Sequence, residues 1–364
     1  MRNSKPNILF VMYTAEIAGP ANSLLLLLDE IEPDYQSSLL LPQEGPLCIE
    51  LKKRGIQYHV VPKMNMRTIP QIWHVIRSNH IDLVYGNNPS GRIRNSLIAA
   101  KLAGKPVIWH FRIQQKAISW RHRIVLGLAD AVIAVSEGVA ESIYKFVPSV
   151  TVKVVYNGVE PALFARDREP TASFVRQSLN LPSNAQIVTM VGNITYRKQQ
   201  LEAVKAFALV NNAVSRAHLV LAGSIVDSAY YNEIVAYIKS EGLSEKIHLI
   251  GFCNDVPGLL SASDVYIHTS RREGHPRAVI EAMAASLPIV AFDIDGVREC
   301  IKDGRGIIVP QGRTNELSEH IISLLVSPST RDQYGKRAHN YMLSNYTAQQ
   351  TAQQIKHVIA QIVR

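Results

Sequence analysis

The chain has 364 residues, more than a single hydrophobic core usually serves, so we expect two domains. Hydrophobic residues make up 47% of the sequence and charged residues 19%, which is typical of a globular protein and excludes a disordered chain. The net charge is +9, and the three widely spaced cysteines, Cys48, Cys253 and Cys300, fit neither a disulfide framework nor a zinc motif. This cysteine usage is typical of a reducing compartment, and we expect a cytoplasmic protein.

The first predicted strand is Asn7–Tyr13, whose apolar run is too short for a signal peptide, and no stretch reaches the 18 apolar residues of a membrane-spanning helix. A loop of small residues, Thr14–Asn22, follows and leads into an apolar helix over Ser23–Ile31. Within this loop Gly19 permits close approach of a ligand to the backbone, or serves only as a turn residue. The loop lacks the G-x-G-x-x-G spacing of dinucleotide-binding proteins, which occurs nowhere in the chain.

Strand and helix patterns then alternate, which predicts a parallel sheet with helices on both faces. The predicted strands are Ser38–Leu41, Tyr58–Val61, Leu83–Tyr85, Val107–His110 and Ala131–Val135, and the predicted helices span residues 46–54, 69–78, 96–103 and 121–128. Ligands of such sheets bind at the carboxyl ends of the strands, where His110 is placed. His110 is therefore a candidate functional residue, with a hydrogen-bonded loop histidine as the alternative.

A basic stretch runs from Arg92 to Arg123, with eight Lys or Arg residues and no Asp or Glu. Apolar residues recur within it at helical spacing: Ile113, Ala117, Trp120, Ile124 and Leu128. We expect this apolar stripe to pack on the sheet while the cations stay solvated. The alternative is a basic amphipathic helix that rests on an anionic membrane surface. Nucleic acid is the least favoured of the three interpretations.

The second half of the chain repeats the alternating pattern after a polar linker over residues 160–170. Gln186–Val191 is a predicted buried strand, and the loop that follows it ends in two adjacent cations, Arg197 and Lys198, before a helix to Val210. Cations at the start of a helix oppose its dipole, so a solvated pair is the less favoured interpretation and anion binding the preferred one.

The stretch Arg271–Ala285 is predicted to be a loop that turns into a short helix, with Pro276 at the first helical position. The start of a helix offers free N–H groups and a positive dipole end, which suit a phosphate group. Glu273 precedes this helix. Glu281 lies five residues after Pro276, about 7.5 Å from the start of the helix along its axis. This distance fits the separation between the diphosphate of a bound nucleotide and its ribose. The alternative is that Glu273 only complements the helix dipole and that Glu281 is solvated.

These residues resemble family 4 of the retaining glycosyltransferases, in which a Glu-Gly-x-Pro loop, a second Glu eight residues later, Ala-Met-Ala and Pro-Ile-Val follow one another. The strings Ala129–Ser136 and Val154–Val159 are also similar to that family. The resemblance implies an α/β fold with two doubly wound Rossmann-like domains that face each other across a cleft (GT-B type). It places an acceptor domain at residues 1–165, a nucleotide-sugar domain at 166–345 and, at 346–364, a C-terminal helix that returns to the first domain.

The same resemblance implies transfer of a sugar from a nucleotide-sugar to a hydroxyl of a glycan or lipid-linked acceptor, with retention at the anomeric carbon. The leaving phosphate would help to accept the acceptor proton. The implied catalytic residues are His110, Glu273, Arg197 and Lys198. The implied donor-binding residues are Gly19, Asn193, Arg197, Lys198, Glu273, Gly274, His275, Pro276, Arg277 and Glu281. We expect no cofactor, no metal and no nucleic acid, and an anionic membrane surface that contacts residues 92–123 stays the alternative to packing on the sheet.

Three positions depart from the family pattern: Ala18-Gly19 replaces a Gly pair, Asn193 stands where Arg is usual, and Gln199 replaces the Gly after Lys198. The D-x-D spacing at Asp293–Asp295, which holds a metal in a different glycosyltransferase fold, is interpreted as a polar loop. A nucleotide-sugar epimerase of the same fold and a non-catalytic nucleotide-sugar-binding protein remain as alternatives. A nicotinamide oxidoreductase is disfavoured by the missing glycine fingerprint.

Overall fold

The computed structural model describes residues 5–363, which form two units around two parallel sheets. Unit 1 comprises Met1–Gly158 and Ala348–Arg364, and unit 2 comprises Val159–Thr347. The strands are β1 Asn7–Val11, β2 Gln36–Leu41, β3 Gln57–Val60, β4 Leu83–Asn87, β5 Val107–Phe111, β6 Ala131–Ala134, β7 Val152–Val154, β8 Gln186–Val191, β9 Ala217–Ala222, β10 Ile247–Gly251, β11 Val265–His268, β12 Ile289–Phe292 and β13 Ile307–Val309.

The helices alternate with these strands, and short 3-10 turns cover Met66–Thr68 and Pro161–Phe164. The helices are α1 Gly19–Ile31, α2 Pro46–Lys53, α3 Ile69–Ser78, α4 Gly91–Leu102, α5 Trp120–Leu128, α6 Glu137–Tyr144, α7 Arg168–Ser178, α8 Gln200–Ala213, α9 Ser228–Ser240, α10 Val256–Ser261, α11 Arg277–Ala284, α12 Asp295–Ile301, α13 Thr314–Val326, α14 Pro328–Asn345 and α15 Ala348–Ile362.

The unit 1 sheet has seven parallel strands in the order β3-β2-β1-β4-β5-β6-β7. Both of its faces are buried, since Leu9 and Val11 of β1 enter one apolar cluster and Ile8 and Phe10 enter another. Burial of both faces is typical of parallel sheets, and the alternation of strands and helices in the sequence had predicted a parallel sheet.

The C-terminal helix α15 packs on unit 1. Its apolar stripe, Ile355, Val358 and Ile359, is buried in the same cluster as Leu24 and Leu28 of α1. Thr351 fixes the start of α15, since its hydroxyl donates to the carbonyl of Tyr156 at 2.9 Å.

The unit 2 sheet has six parallel strands in the order β10-β9-β8-β11-β12-β13. Its order reverses between β8 and β11, which are neighbours in the sheet although they are separated in sequence. At such a switch point the loops leaving the two strands diverge and open a crevice for a ligand. The loop after β8 carries Arg197 and Lys198, and the loop after β11 carries Glu273.

Two predicted helices begin earlier than expected. The first begins at Gly19 rather than Ser23, since Pro20 fits the first turn of a helix, and Gly19 therefore opens α1 instead of lying within a loop. The helix predicted from residue 96 begins at Gly91, with Ser90 as its N-cap, whose hydroxyl accepts from the N–H of Ile93.

The prediction that Trp120, Ile124 and Leu128 pack on the sheet is wrong. Their exposed fractions are 65%, 54% and 49%. Helix α5 instead packs through Val125 and Leu126, which are almost fully buried. Residues 125 and 126 project from another side of the helix, so the apolar pattern has two faces and the sequence could not decide which one packs.

Among residues 5–363, no helix combines the length and the apolar character needed to cross a membrane.

Candidate functional site

Two loops at the switch point of unit 2 are joined by backbone and side-chain hydrogen bonds. The N–H of Arg271 donates to the carbonyl of Arg197 at 2.9 Å. The hydroxyl of Thr269 lies 3.1 Å from the carbonyl of Lys198 and 2.9 Å from that of Gln199. The loop after β8 and the loop after β11 therefore hold their side chains in a fixed relation to each other.

Gln199 occupies a left-handed backbone conformation, with φ of 54° and ψ of 43°. A glycine adopts this conformation without strain, whereas a side chain costs about 1 kcal/mol. The Gln199 amide offsets this cost, because its nitrogen can donate to the Thr269 carbonyl and its oxygen can accept from Arg271 Nε, both at 3.1 Å. The departure from glycine at this position is therefore compatible with the loop.

A cluster of charged side chains, here called the Glu273 cluster, lies where the two loops meet. Its acceptor is Glu273 Oε1, which lies 2.7 Å from Lys198 Nζ, 2.9 Å from Arg197 Nη1 and 3.7 Å from His268 Nε2. The side chains of Glu273 and Lys198 are only 12% and 13% exposed. Burial alone would raise the pKa of the Glu273 carboxyl, but Lys198, His268 and Arg197 outweigh it and hold that pKa well below its usual value. Glu273 is therefore ionised, and with the two basic side chains the cluster keeps a net positive charge.

His268 was not predicted as a site residue. It ends β11 and is fully buried, and its Nδ1 lies 3.3 Å from the hydroxyl of Tyr266. Burial lowers the pKa of His268 and also raises that of Tyr266, so the imidazole is neutral and the phenol keeps its proton. Nε2 is the imidazole nitrogen that faces Glu273, and it carries the proton in the tautomer in which the phenol donates to Nδ1.

Glycines let the backbone and the Lys198 stem come close together in the Glu273 cluster. A Cβ at Gly192 would lie 3.2 Å from Lys198 Cε, so the stem of Lys198 crosses directly over that residue. A Cβ at Gly296, in α12, would collide with the carbonyl oxygen of Gly274 and lie 3.0 Å from that of Glu273. Helix α12 thus supports the loop that carries Glu273 from behind.

The N-terminus of α11 lies directly after this loop. Pro276 is the N-cap rather than the first helical residue, since its φ and ψ are −73° and 110° and its carbonyl accepts from the N–H groups of Val279 and Ile280. The N–H groups of Arg277 and Ala278 precede these first intrahelical bonds and are the ones that a helix start offers to an anion.

Within α11, Arg277 Nε donates to Glu281 Oε1 at 2.9 Å, and the two side chains are 18% and 14% exposed. Beside them His275 is buried and meets the ring of Tyr346 edge-on, with 4.7 Å between ring centroids. Burial lowers the pKa of His275 to about 3, so this imidazole is neutral at physiological pH. The structure therefore places six of the predicted site residues on one loop and helix: Glu273, Gly274, His275, Pro276, Arg277 and Glu281.

Asn193, which stands where the family has Arg, is exposed, and its carbonyl accepts from Gln200 Nε2 at 2.9 Å. The guanidinium next to Glu273 comes instead from Arg197, four residues later.

Unit 1 contains the remaining predicted residues, Gly19 at the start of α1 and His110 near the end of β5. His110 is 1% exposed, and its Nδ1 lies 2.6 Å from the hydroxyl of Tyr85 on the neighbouring strand. Burial and the nearby Arg112 lower the pKa of His110, which is therefore neutral. Arg112 bridges two amides, with 2.6 Å from its Nε to Asn87 Oδ1 and 2.7 Å from Nη1 to Asn157 Oδ1.

Sequence analysis did not identify Tyr85, Asn87 or Arg112. A polar residue that ends or follows an apolar strand, the signal that identified His110, also applies to Asn87 and Arg112.

The described part of the chain has no group of three or more His, Cys, Asp or Glu side chains that could hold a metal ion. The two carboxylates of the D-x-D spacing, Asp293 and Asp295, both pair with Arg298, at 2.7 Å and 3.0 Å.

Two family models match the chain. One, described as Glycosyl transferases group 1, matches residues 172–341, and the other, Glycosyltransferase Family 4, matches residues 33–163. The UDP-Gal:alpha-D-GlcNAc-diphosphoundecaprenol alpha-1,3-galactosyltransferase of Escherichia coli is 25% identical over 295 residues, 74% of this chain and 74% of that protein. The N-acetyl-alpha-D-glucosaminyl L-malate synthase of Bacillus anthracis is 23% identical over 65% of this chain and 61% of its own length.

Among solved structures, that of HepE from Anabaena in complex with UDP and glucose has a TM-score of 0.85 and 22% identity. The match covers 98% of this chain and 100% of that chain. HepE has also been solved in complex with UDP-glucose. The chain therefore shares the fold of this protein, with two Rossmann-like domains.

Proposed function

The chain belongs to family 4 of the glycosyltransferases and has their GT-B fold, and from this premise we propose that it is a retaining enzyme. Its donor is a nucleotide-sugar and its acceptor a hydroxyl group of a glycan or a lipid-linked glycan. A UDP-sugar is the first donor to test, because HepE was crystallised with UDP-glucose and the E. coli relative is named for UDP-Gal.

The observation that carries this proposal is the Glu273 cluster beside the start of α11. When the bond from the anomeric carbon to the phosphate oxygen breaks, negative charge accumulates on the leaving diphosphate. Lys198 and Arg197, with the N–H groups of Arg277 and Ala278, would stabilise that charge without a metal ion or a cofactor. The acceptor oxygen forms its bond to the same face of the anomeric carbon, and its proton passes to the leaving phosphate oxygen.

Glu273 and Glu281 would then hold the two sugars of the donor. Arg197 and Lys198 keep the Glu273 carboxylate ionised, so it can accept hydrogen bonds from hydroxyl groups of the transferred sugar. Glu281 lies one turn into α11. Its Oε1 accepts a hydrogen bond from Arg277, and its Oε2 can accept hydrogen bonds from the ribose hydroxyl groups. His275 and Pro276 shape this loop, and Gly274 lies against Gly296 of α12.

We assign the acceptor to unit 1, with His110 as the residue that positions the reacting sugar. In the tautomer in which the Tyr85 hydroxyl donates to Nδ1, the proton of His110 lies on Nε2. That N–H is buried and has no partner within the described residues, so a substrate hydroxyl would satisfy it. Gly19, at the start of α1, leaves open space for a Cβ and permits close approach of a ligand.

The test is thermal stabilisation by a panel of nucleotide-sugars, followed by transfer assays with the donors that bind. Glu281→Gln should weaken binding of the cognate donor at least tenfold, whereas Glu319→Gln, an exposed change on α13, should leave it unchanged. Nuclear magnetic resonance of the product should give the donor's own anomeric configuration.

Inversion of configuration would refute the retaining mechanism. Isomerisation of the donor without acceptor would favour the epimerase instead, and binding without turnover would favour a non-catalytic binding protein.

A further inference from the structure

The outer side of α5 exposes large apolar side chains that a folded protein usually buries. Trp120, Ile124 and Leu128 follow one another at four-residue intervals, so they lie along one side of the helix, and each is about half exposed or more. These three residues and the neighbouring Arg121 and Arg123 are here called the α5 face. We propose that the α5 face docks unit 1 on an anionic membrane surface.

The inward side of α5 packs against the core of unit 1. Val125 and Leu126 are buried in the unit 1 core, and the ring of His122 stacks on Trp109 with 5.5 Å between centroids. Because the helix is anchored by this second set of residues, exposure of the α5 face is not the result of a loosely attached helix. The exposed stripe is a surface in its own right.

The sequence that forms α4 and the start of α5 is strongly basic. Between Arg92 and Arg123 it has eight Lys or Arg residues and no Asp or Glu. A bilayer with anionic lipids is the partner that complements both the charge and the apolar stripe.

Two Trp–Arg pairs mark the helical layer to which α5 belongs. Arg121 lies over the ring of Trp120, 5.2 Å from its centroid, and Arg77 lies over the ring of Trp73, at 5.9 Å. Helix α3 packs on α4, and α4 packs on α5. Tryptophan rings favour the interfacial region of a bilayer, where the guanidinium can reach lipid phosphates.

A nucleic acid would also complement the charge, but it fits the apolar residues poorly. Ile124 and Leu128 have no aromatic ring on which a base could stack, whereas acyl chains accept aliphatic side chains without specific geometry. The proposal rests on the proposed function in one respect: docking on a membrane would bring a lipid-linked acceptor to unit 1. Lipid binding itself is measurable without donor, acceptor or turnover.

The experiment is sedimentation of the full chain with vesicles of phosphatidylcholine alone or mixed with phosphatidylglycerol. The parent should bind the anionic vesicles, bind the neutral ones far more weakly, and lose affinity as salt rises. Arg121→Glu with Arg123→Glu should reduce binding at least tenfold, since each cation near an anionic surface contributes a factor of about five. The matched control is Lys239→Glu with Lys336→Glu, which makes the same charge change on exposed helices of unit 2.

A second variant tests the apolar part. Ile124→Ser with Leu128→Ser should reduce binding about tenfold, whereas Phe174→Ser with Leu209→Ser, at exposed positions of unit 2, should not. Circular dichroism confirms that each variant is folded. Absence of parent binding, equal losses in variants and controls, or tighter binding to duplex DNA than to the vesicles would each overturn the proposal. Donor binding by the same samples reports separately on the proposed function.

Discussion

Replacing Lys198 by Met keeps the stem that crosses Gly192 and removes the charge that lies 2.7 Å from Glu273. Removing one partner of a buried ion pair lowers the free energy of unfolding by about 3–5 kcal/mol. Arg197 remains at 2.9 Å from the carboxylate, and the paired side chains are 12% and 13% exposed, so we expect a smaller loss of about 2 kcal/mol. In a domain the size of unit 2, about 190 residues, this lowers Tm by about 4–8 °C.

The control for this variant is Lys205→Met. Lys205 also pairs with a glutamate of unit 2, Glu202, at 3.0 Å, but its side chain is 40% exposed. We expect a loss of at most about 0.5 kcal/mol there. Chemical unfolding followed by far-UV circular dichroism measures the difference between the two variants.

Tryptophan fluorescence provides an internal reference in the same samples, because Trp73, Trp109 and Trp120 all belong to unit 1. The Lys198 variant should shift the circular dichroism transition of unit 2.

The difference between parent and Lys198 variant should also depend on pH. The pKa of Glu273 is lowered in the folded state, so its ion pairs stabilise the protein fully above the ordinary carboxyl value of 4.5. The stabilisation declines as the pH falls through the lowered pKa and the carboxylate is protonated. Equal stability of the Lys198 and Lys205 variants at neutral pH would refute the description of the Glu273 cluster as a buried, coupled ion pair.

Two further predictions concern the backbone of the same loops. Gly296→Ala should destabilise unit 2 by about 2 kcal/mol or more and weaken donor binding, because the new Cβ would collide with Gly274. Gly127→Ala, whose Cβ would meet open space, should not destabilise the protein. Thermal unfolding and donor titration compare the two variants. Gln199→Ala should lower the free energy of unfolding by about 1 kcal/mol, because it keeps the left-handed strain and loses the side-chain hydrogen bonds to Thr269 and Arg271. Gln199→Gly should stay within about 0.5 kcal/mol of the parent in urea unfolding. Equal stability of Gln199→Ala and Gln199→Gly would contradict this account of the loop.

The architecture could be predicted because doubly wound sheets leave a regular sequence pattern. β8 and α3 have the predicted bounds, Gln186–Val191 and Ile69–Ser78, since each is a continuous apolar run or a periodic segment with a clear proline start. The C-terminal helix was predicted for the same reason, because its apolar stripe is confined to one face.

Features that depend on tertiary contacts could not be predicted. α5 has apolar residues on two sides, and only the structure decides that Val125 faces the core and Ile124 faces outward. His268 lies within an apolar strand, where no sequence pattern distinguishes a buried structural histidine from one that faces Glu273. The contact depends on how the loop after β11 folds back on the strand that precedes it.

The return of α15 to unit 1 has a consequence for folding during synthesis. Unit 2 is one uninterrupted segment, so all of its contacts are available once Thr347 has been made. The core of unit 1 also needs Ile355 and Ile359, which follow unit 2 in the chain. Although domains generally fold in the order in which they emerge from the ribosome, here the later segment can reach its native state first, while the α1 surface that α15 covers stays exposed to chaperones.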